Sequence, residues 1–400
     1  MNHDAHNYNR RLERQLKLLE KDSSISRENK DLIKRFKDFA LSSGITTGRV
    51  VRYMFDLRTM ARFLGKNFEA ANKEDIIKLV GKLEKSERFS KSTVRDFKLT
   101  LRKFYKWLRN TEDFPEEVRW FKTHIRYDAI KNPEEMLTEE EVRRMIDACR
   151  NPRDRAFIST LYESGCRIGE LLPMRINQLK FDDYGARLLV NGKTGFRRVR
   201  VVSSAPYLTE WINKHPLKDR SNAFLWINRE LNMMGYNSTI SMLRRIAKRV
   251  NILKKVNPHN FRHSRASFLA NYLTEAQMKE YFGWVQGSDM ASIYVHLSGR
   301  DVDKALLKVY GINKPEETQE SIMKPKECLR CHKVNQATNK FCSRCGMPLD
   351  EETKAEVIRK TIERKEADDI MDRLLEDEEF REMFLHKIQE MTLNPGKNVQ

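Results

Sequence analysis

Long apolar runs are missing from this chain. Although 40% of its residues are hydrophobic, no stretch reaches the ~20 residues that a bilayer-spanning helix needs. The opening Met1-Asn2-His3-Asp4-Ala5-His6 has no apolar segment of signal-peptide type, so a cytoplasmic protein with no membrane partner is expected. Cysteine is scarce, with 6 in 400 residues, and a disulfide-built secreted scaffold is disfavoured. Acidic charge is also in deficit: 57 Asp and Glu face 76 Lys and Arg, a net charge of +19. The deficit is uneven. From Asp350 onward 15 acidic residues outnumber 9 basic ones, so residues 1–349 hold 67 basic against 42 acidic. Such a polycation binds nucleic acid through counterion release, with an affinity that falls steeply with salt. Charge alone leaves a merely soluble basic surface as the alternative.

At 400 residues there is room for two or three cored domains. Residues 8–112 read as a helical domain: apolar stripes at Leu12, Leu16 and Leu19, then at Leu32, Ile33, Phe36 and Ala40, recur at helical spacing, and Gly44 and Gly65 stand at helix ends. Its polar faces carry Arg49, Arg52, Lys91, Lys98, Arg102 and Lys103, residues suited to tracking a DNA backbone. Residues 113–135, bracketed by Phe114-Pro115 and Asn132-Pro133, form a linker whose Trp120, Phe121 and Tyr127 suggest packing on a neighbour. A second domain, 136–313, opens at Leu137-Thr138-Glu139-Glu140-Glu141-Val142, where Thr138 and Glu141 have capping-box spacing and Leu137 and Val142 can staple the helix start.

The second domain concentrates phosphate-handling residue types. In Asn257-Pro258-His259-Asn260-Phe261-Arg262-His263, His259 and Arg262 lie on one side of a helical turn and can share one anionic oxygen. Pro258 suits the first helical position. Upstream, Arg167 sits among Leu161, Ile168, Leu171 and Leu172, where a guanidinium is costly to bury unless it meets a carboxylate or a phosphate. Ala186–Val202 reads as a β-hairpin, its Gly192 and Gly195 putting Lys193 at an exposed tip. Phe224 to Ile227 reads as a short buried strand or core segment, and Ser238 to Val250 as a basic amphipathic helix. A turn through Gly283, Gly287 and Ser288 precedes Tyr294, for which Tyr281 and Tyr310 are rival nucleophiles.

Arg167, Lys193, His259, Arg262, Trp284 and Tyr294 occur in the order and approximate spacing of the catalytic residues of the tyrosine recombinases, the phage-integrase family, which this chain resembles. The resemblance implies a multidomain, mainly α protein: a helical SAM-like core-binding domain, then an α-rich catalytic domain with a small antiparallel β-sheet. It implies that Arg167 and Arg262 neutralise a scissile phosphate and that His259 acts as general base or phosphate ligand. Lys193 protonates the leaving 5′ oxygen, and Tyr294 forms a covalent 3′-phosphotyrosine link. Trp284 stands where the family often has a second His. Bond energy stays in the link, so no ATP and no catalytic metal are implied. The partner is double-stranded DNA with specific recombination sites, and four protomers act on two synapsed sites. Gly299 to Tyr310 reads as an amphipathic helix that either docks into a neighbouring protomer or packs on its own. A type IB topoisomerase, a non-catalytic DNA-binding regulator and a zinc-ribbon interaction protein acting through residues 313–400 are the alternatives.

Beyond a polar linker, 314–326, two CxxC knuckles, Cys328-Leu329-Arg330-Cys331 and Cys342-Ser343-Arg344-Cys345, stand ten residues apart. Four thiolates suit one tetrahedral Zn2+, and a segment as short as 327–349 has too little core to fold without it. Four ligands leave no open position, so the site is expected to be structural. The segment resembles the zinc ribbons appended to archaeal-type integrases. Cys149 and Cys166 fall in apolar helices as core residues. Residues 350–392 form a charged helical tail with Ile358, Ile362, Ile370 and Leu374 on apolar faces. Self-association and a plain solvated cap are both open readings of it, and its acidity argues against DNA contact.

Overall fold

The computed structural model describes residues 7–123, 133–192, 195–297 and 321–393. They form two compact units: one holds the chain up to Glu135 with the short excursions Ile168–Pro173 and Ile227–Ser241, and the other holds the remainder.

The first unit contains α1 (Tyr8–Glu20), α2 (Arg27–Ser42), α3 (Thr47–Leu64), α4 (Lys73–Lys85), α5 (Lys91–Leu108) and the short α6 (Glu116–Arg119). Local chemistry sets the ends. Ser26 and Ser90 cap α2 and α5, Asn72 and Asp75 form a reciprocal capping box on α4, and left-handed Gly65 ends α3. Phe104 packs edge-on against Phe36 and Phe68, with ring centroids 5.3 and 5.0 Å away. Each buried ring stabilises by roughly 1.5–3 kcal/mol and a cap by about 1 kcal/mol, so packing holds the unit while caps choose its boundaries. Over its described residues the linker packs as expected: Val118 and Phe121 enter this core, and Arg102 donates to the carbonyls of both while lying 4.7 Å from the Phe114 ring centroid. That corrects part of the basic-face expectation. Arg102 is occupied, Lys98 pairs with Glu84 at 2.6 Å and Arg52 with the buried Asp56 at 2.7 Å, whereas Arg49, Lys91 and Lys103 stand exposed.

The second unit begins with α7 (Glu139–Asp147), whose Thr138–Glu141 capping box is present in both directions. Then come α8 (Pro152–Ser164) and a three-stranded antiparallel sheet, β1 (Leu179–Asp182), β2 (Gly185–Gly192) and β3 (Gly195–Val201), in the order β1-β2-β3. The short Ile168–Leu171 turn, α9, lies in the first unit's excursion. The hairpin register pairs Gly192 with Gly195, and the turn residues Lys193 and Thr194 lie outside the described residues. β1 adds a strand to the expected hairpin. Its Asp182 holds Arg187 and Arg200 at 2.7 and 2.8 Å, so both guanidiniums keep its carboxyl well below the usual range. Leu188, Val190, Val199 and Val201 alternate inward, as a half-buried sheet requires. Helices α10 (Ala205–Asn213), α11 (Tyr236–Arg249), α12 (Pro258–Leu269), α13 (Glu275–Phe282) and α14 (Met290–Leu297) follow. Leu225 and Trp226 are fully buried without forming a continuous strand.

Glu163 ties the end of α8 to the sheet. Its buried carboxylate accepts the backbone N–H of Val202, Ser203 and Ser204 at 2.7, 3.0 and 2.7 Å. A buried carboxylate is costly unless fully bonded, and here it satisfies donors leading into α10. The residue just before the α8 turn is thereby held, and with it the loop carrying Arg167.

In the same unit, β4 (Lys326–Glu327) and β5 (Val334–Asn335) make a two-stranded ladder in the cysteine segment, which docks on α7 and α10. Ser321 Oγ donates to Glu139 at 2.8 Å, Gln336 Nε2 to Glu210 at 3.0 Å, and Thr338 meets the Tyr207 hydroxyl at 3.1 Å. The tail is two helices, α15 (Glu351–Glu376) and α16 (Glu378–Leu393). Ile358, Ile362, Ile370 and Leu374 all stay exposed. No helix among the described residues is long and apolar enough to cross a membrane.

Candidate active site

Helix α12 starts as its sequence dictates: the Asn257 side chain accepts the Asn260 N–H, and Pro258 occupies the first turn where no donor is lost. One turn on, Arg262 is 5% exposed. Its Nη1 donates to Gly165 O at 2.8 Å and its Nη2 to Phe282 O at 2.6 Å, with the guanidinium over the rings of Phe282 and Trp284 at 5.1 and 5.4 Å. Arg167 donates through both terminal nitrogens to Gly283 O, each at 3.3 Å. A third arginine joins them: Arg197 of β3 donates from Nε to Tyr281 O at 3.1 Å.

Three guanidiniums therefore sit on three successive carbonyls, 281, 282 and 283, at the C-terminal end of α13. Those carbonyls have no partner within the helix and carry the negative end of its dipole, so cations are favoured there. Gly283 is left-handed, with φ 60°, and a Cβ on it would come within 2.8 Å of Arg197 Nη1. The left-handed conformation favours glycine, and a side chain there would also press on the Arg197 guanidinium. Arg167 was expected to meet a carboxylate or a phosphate; within the protein both its terminal nitrogens reach a backbone carbonyl, which orients the fork.

Tyr294 on α14 is 4% exposed and lies flat against Trp284, with centroids 5.7 Å apart and planes 1° from parallel. Burial pushes its phenol up to about 12, and the nearby Arg262 guanidinium draws it partly back. The hydroxyl meets Nδ1 of His263. His259, expected to be the imidazole of the site, is exposed and touches His263 ring to ring at 4.2 Å. Trp284 packs, stacking on Phe282 on one side and on Tyr294 on the other.

Arg167, Arg262, Trp284 and Tyr294 are thus brought together, His259 stands one ring away, and Lys193 lies outside the described residues. His263 and Arg197 were missed. For His263 a signal existed, since it stands one helical turn after His259 and next to Arg262; for Arg197, one of three arginines within four residues of β3, the sequence offered none. Of the rival tyrosines, Tyr281 donates its hydroxyl to Glu163 O at 2.8 Å, and burial raises its phenol far above the usual range. Tyr310 and the Gly299–Tyr310 segment lie outside the described residues.

The four knuckle thiols come together as well. All their sulfurs lie within 4.8 Å of one another, with Cys328–Cys345 and Cys331–Cys342 at 3.5 Å. A tetrahedron with metal–sulfur bonds of about 2.3 Å has edges near ~3.8 Å, which this cluster fits. Each knuckle ends in a left-handed residue directly after its second Cys, His332 with φ 55° and Gly346 with φ 73°. The Asn335 amide and the Arg344 N–H point at Cys342 Sγ, 3.6 and 3.5 Å away. Such N–H donors favour a thiolate. Cys149 and Cys166 are buried core residues, as expected, but both lie just beyond a helix end and not within a helix, after α7 and α8 respectively.

The second unit thus sets clustered arginines and a buried tyrosine on a mainly helical frame with a small antiparallel sheet. Residues 135–300 match the sequence profile of the phage integrase family. The chain is 26% identical over 294 residues to a probable integrase/recombinase protein of Methanocaldococcus jannaschii, spanning 68% of this chain and 87% of that one. In fold it is similar to the XerH site-specific recombinase, solved bound to its difH substrate in a pre-cleavage complex. The TM-score is 0.53 at 16% identity, over 76% of this chain and 97% of that one. It is similar also to lambda integrase, solved as a tetramer bound to a Holliday junction, with a TM-score of 0.53 at 15% identity over 68% of this chain and 79% of that one.

Proposed function

We propose that this chain is a site-specific DNA recombinase that cuts and rejoins double-stranded DNA through a covalent 3′-phosphotyrosine intermediate. The observation that carries the reading is the convergence of Arg167, Arg262, Trp284 and Tyr294 on the end of α13. In the proposed step the Tyr294 oxygen attacks phosphorus. Its proton passes to Nδ1 of His263, the P–O5′ bond breaks, and the departing 5′ oxygen takes a proton from Lys193. Arg167 and Arg262 offset the charge that builds on the non-bridging oxygens, and His259 serves as a phosphate ligand from its exposed position. A phenol held near 12 is a poor nucleophile at neutral pH, which is why a base in contact with it matters. Attack by a 5′ hydroxyl of the partner strand reverses the chemistry, so the cycle balances without ATP or a catalytic metal. Four protomers on two DNA sites is the assembly proposed, by analogy with the relatives, and the DNA substrate places the work in the cytoplasm.

We assign residues 8–112 as the SAM-like core-binding domain and 327–349 as a zinc ribbon, with Cys328, Cys331, Cys342 and Cys345 holding one structural Zn2+. The metal supplies folding free energy to a segment without a core of its own.

The test is trapping on a nicked suicide duplex carrying candidate attachment sites. Wild type is expected to migrate with covalently attached DNA under denaturing conditions, and Tyr294→Phe is not. Strand exchange between two sites separates a recombinase from a type IB topoisomerase, which relaxes supercoils on site-free plasmid. Binding without any adduct from wild type would leave a non-catalytic DNA-binding regulator as the reading.

A further inference from the structure

The ribbon has charge that neither the site nor its own fold uses. Residues 321–349 contain six Lys and Arg against one Glu. Five of the six fall into two groups by their partners. Lys326 reaches Asp350 at 2.7 Å and Lys340 reaches Glu356 at 3.7 Å, so the start of the acidic tail neutralises them. Arg330, Lys333 and Arg344 are exposed, and among the described residues none has a carboxylate within ion-pair distance. Arg330 and Arg344 occupy the same place in the two knuckles, between the Cys residues. Because the four sulfurs lie within 4.8 Å of one another, the two knuckles that carry these arginines stand side by side. Beside them Leu329 is 77% exposed, an apolar residue that the fold does not cover.

The ribbon is also held. Gln336, Thr338 and Ser321 bond to Glu210, Tyr207 and Glu139 of the catalytic unit, so a load on the knuckles is transmitted to the body that cuts. The docking residues are distinct from the charged ones, and docking leaves the knuckle end open to a partner.

We infer that the knuckle end of the ribbon, through Arg330, Lys333 and Arg344, is a second binding surface for the phosphate backbone of duplex DNA, separate from the catalytic cleft and independent of base sequence. Charge complementarity selects the occupant: three exposed cations with no acidic partner among the described residues suit a polyanion, and a planar guanidinium fork matches phosphate oxygens. An acidic protein surface offers the same sign of charge without a regular phosphate spacing. The inference rests on the recombinase reading only for naming DNA as the polyanion.

The test compares full-length proteins in a Tyr294→Phe background, so that cleavage plays no part, on a random-sequence duplex of about 60 bp, long enough to span several helical turns, across a salt series. One variant carries Arg330→Gln, Lys333→Gln and Arg344→Gln. A charge-matched control carries Lys340→Gln, Lys354→Gln and Lys360→Gln, three lysines already paired with tail glutamates. Zinc content of each is measured to show that the ribbon is folded. The knuckle variant is expected to lower the slope of log affinity against log salt by about 2–3, near 0.9 for each phosphate it no longer neutralises, while the control leaves it unchanged. Equal slopes for wild type and knuckle variant would overturn the inference, as would an equal fall in the control, which marks bulk charge and no defined surface. Failure here leaves the covalent-adduct test untouched, and failure of that test leaves the slopes interpretable.

Discussion

The C-terminal end of α13 and the knuckles of the ribbon both gather arginines, and they treat them in opposite ways. Around α13, Arg262 is 5% exposed and spends its donors on two carbonyls; at the knuckles, Arg330 and Arg344 stand in solvent with no acidic partner among the described residues. Burial costs several kcal/mol per ion and repays it in position, because a guanidinium bonded to two fixed carbonyls cannot swing. Exposure costs almost nothing and gives long-range attraction that salt weakens. The proposed function uses both, one to hold a scissile phosphate in place and the other to attract a polyanion from solution.

The sharpest way to break this comparison is to remove the fork. Arg262→Gln is expected to cut covalent adduct formation by about 10²–10³-fold, and Arg262→Lys to rescue little of it, because one ammonium cannot span Gly165 O and Phe282 O. Adduct yield over time on the suicide duplex measures both; a Lys variant close to wild type would show that charge alone suffices. Next in size is the metal. Chelation, or Cys342→Ser, is expected to make residues 321–349 sensitive to limited proteolysis while α7 to α14 stay protected, since the docking bonds to α7 and α10 and a small apolar core are a weak substitute for the proposed metal. A protected ribbon after verified zinc removal would count against the structural site.

Arg197→Gln tests whether the third guanidinium belongs with the buried group. It should slow adduct formation by about 10-fold, the effect of a positioning residue displaced by a fraction of an ångström, with DNA affinity and its salt slope unchanged and partial recovery in Arg197→Lys. A change in salt slope instead would move it to the exposed class.

Smaller still is a buried charge with no chemistry to perform. Asp56 in the first unit has its carboxyl raised to about 6 by burial, with Thr100 and Arg52 offsetting part of the cost. Its folded pKa lies above the unfolded one, so between roughly pH 4 and 6 the folded state holds more protons, and stability falls as pH rises through that window. The loss, on the order of 2–3 kcal/mol above the window, should disappear in Asp56→Asn, measured as thermal midpoints from about pH 4 to 8. At the far end, Lys360→Gln removes an exposed i,i+4 pair with Glu356, and no measurable shift in midpoint is expected.

Much of the site was legible because the signals are local. The Thr138–Glu141 capping box, Asn257-Pro258 at the start of α12, the paired glycines of the hairpin and the two CxxC knuckles each act over a few residues, and each is found where the pattern puts it. β1 was not legible: Leu-Lys-Phe-Asp is too short to show a period, and it becomes a strand through its pairing with β2. His259 was the expected imidazole and His263 is the one that meets the tyrosine. Both project from neighbouring turns of α12, and spacing along one helix cannot say which ring α14 will meet.

By itself the sequence singled out Arg167, Arg262, Tyr294 and the four thiols of the knuckles, and it set the basic excess of residues 1–349. Tertiary structure alone decided their partners. Arg262 finds Gly165 across 97 residues and Arg167 finds Gly283 across 116, and no propensity or periodicity reaches that far. Those choices are made when α8, α12, α13 and β3 close on one another, because each buried N–H must end on some acceptor and packing determines which carbonyl is there to receive it.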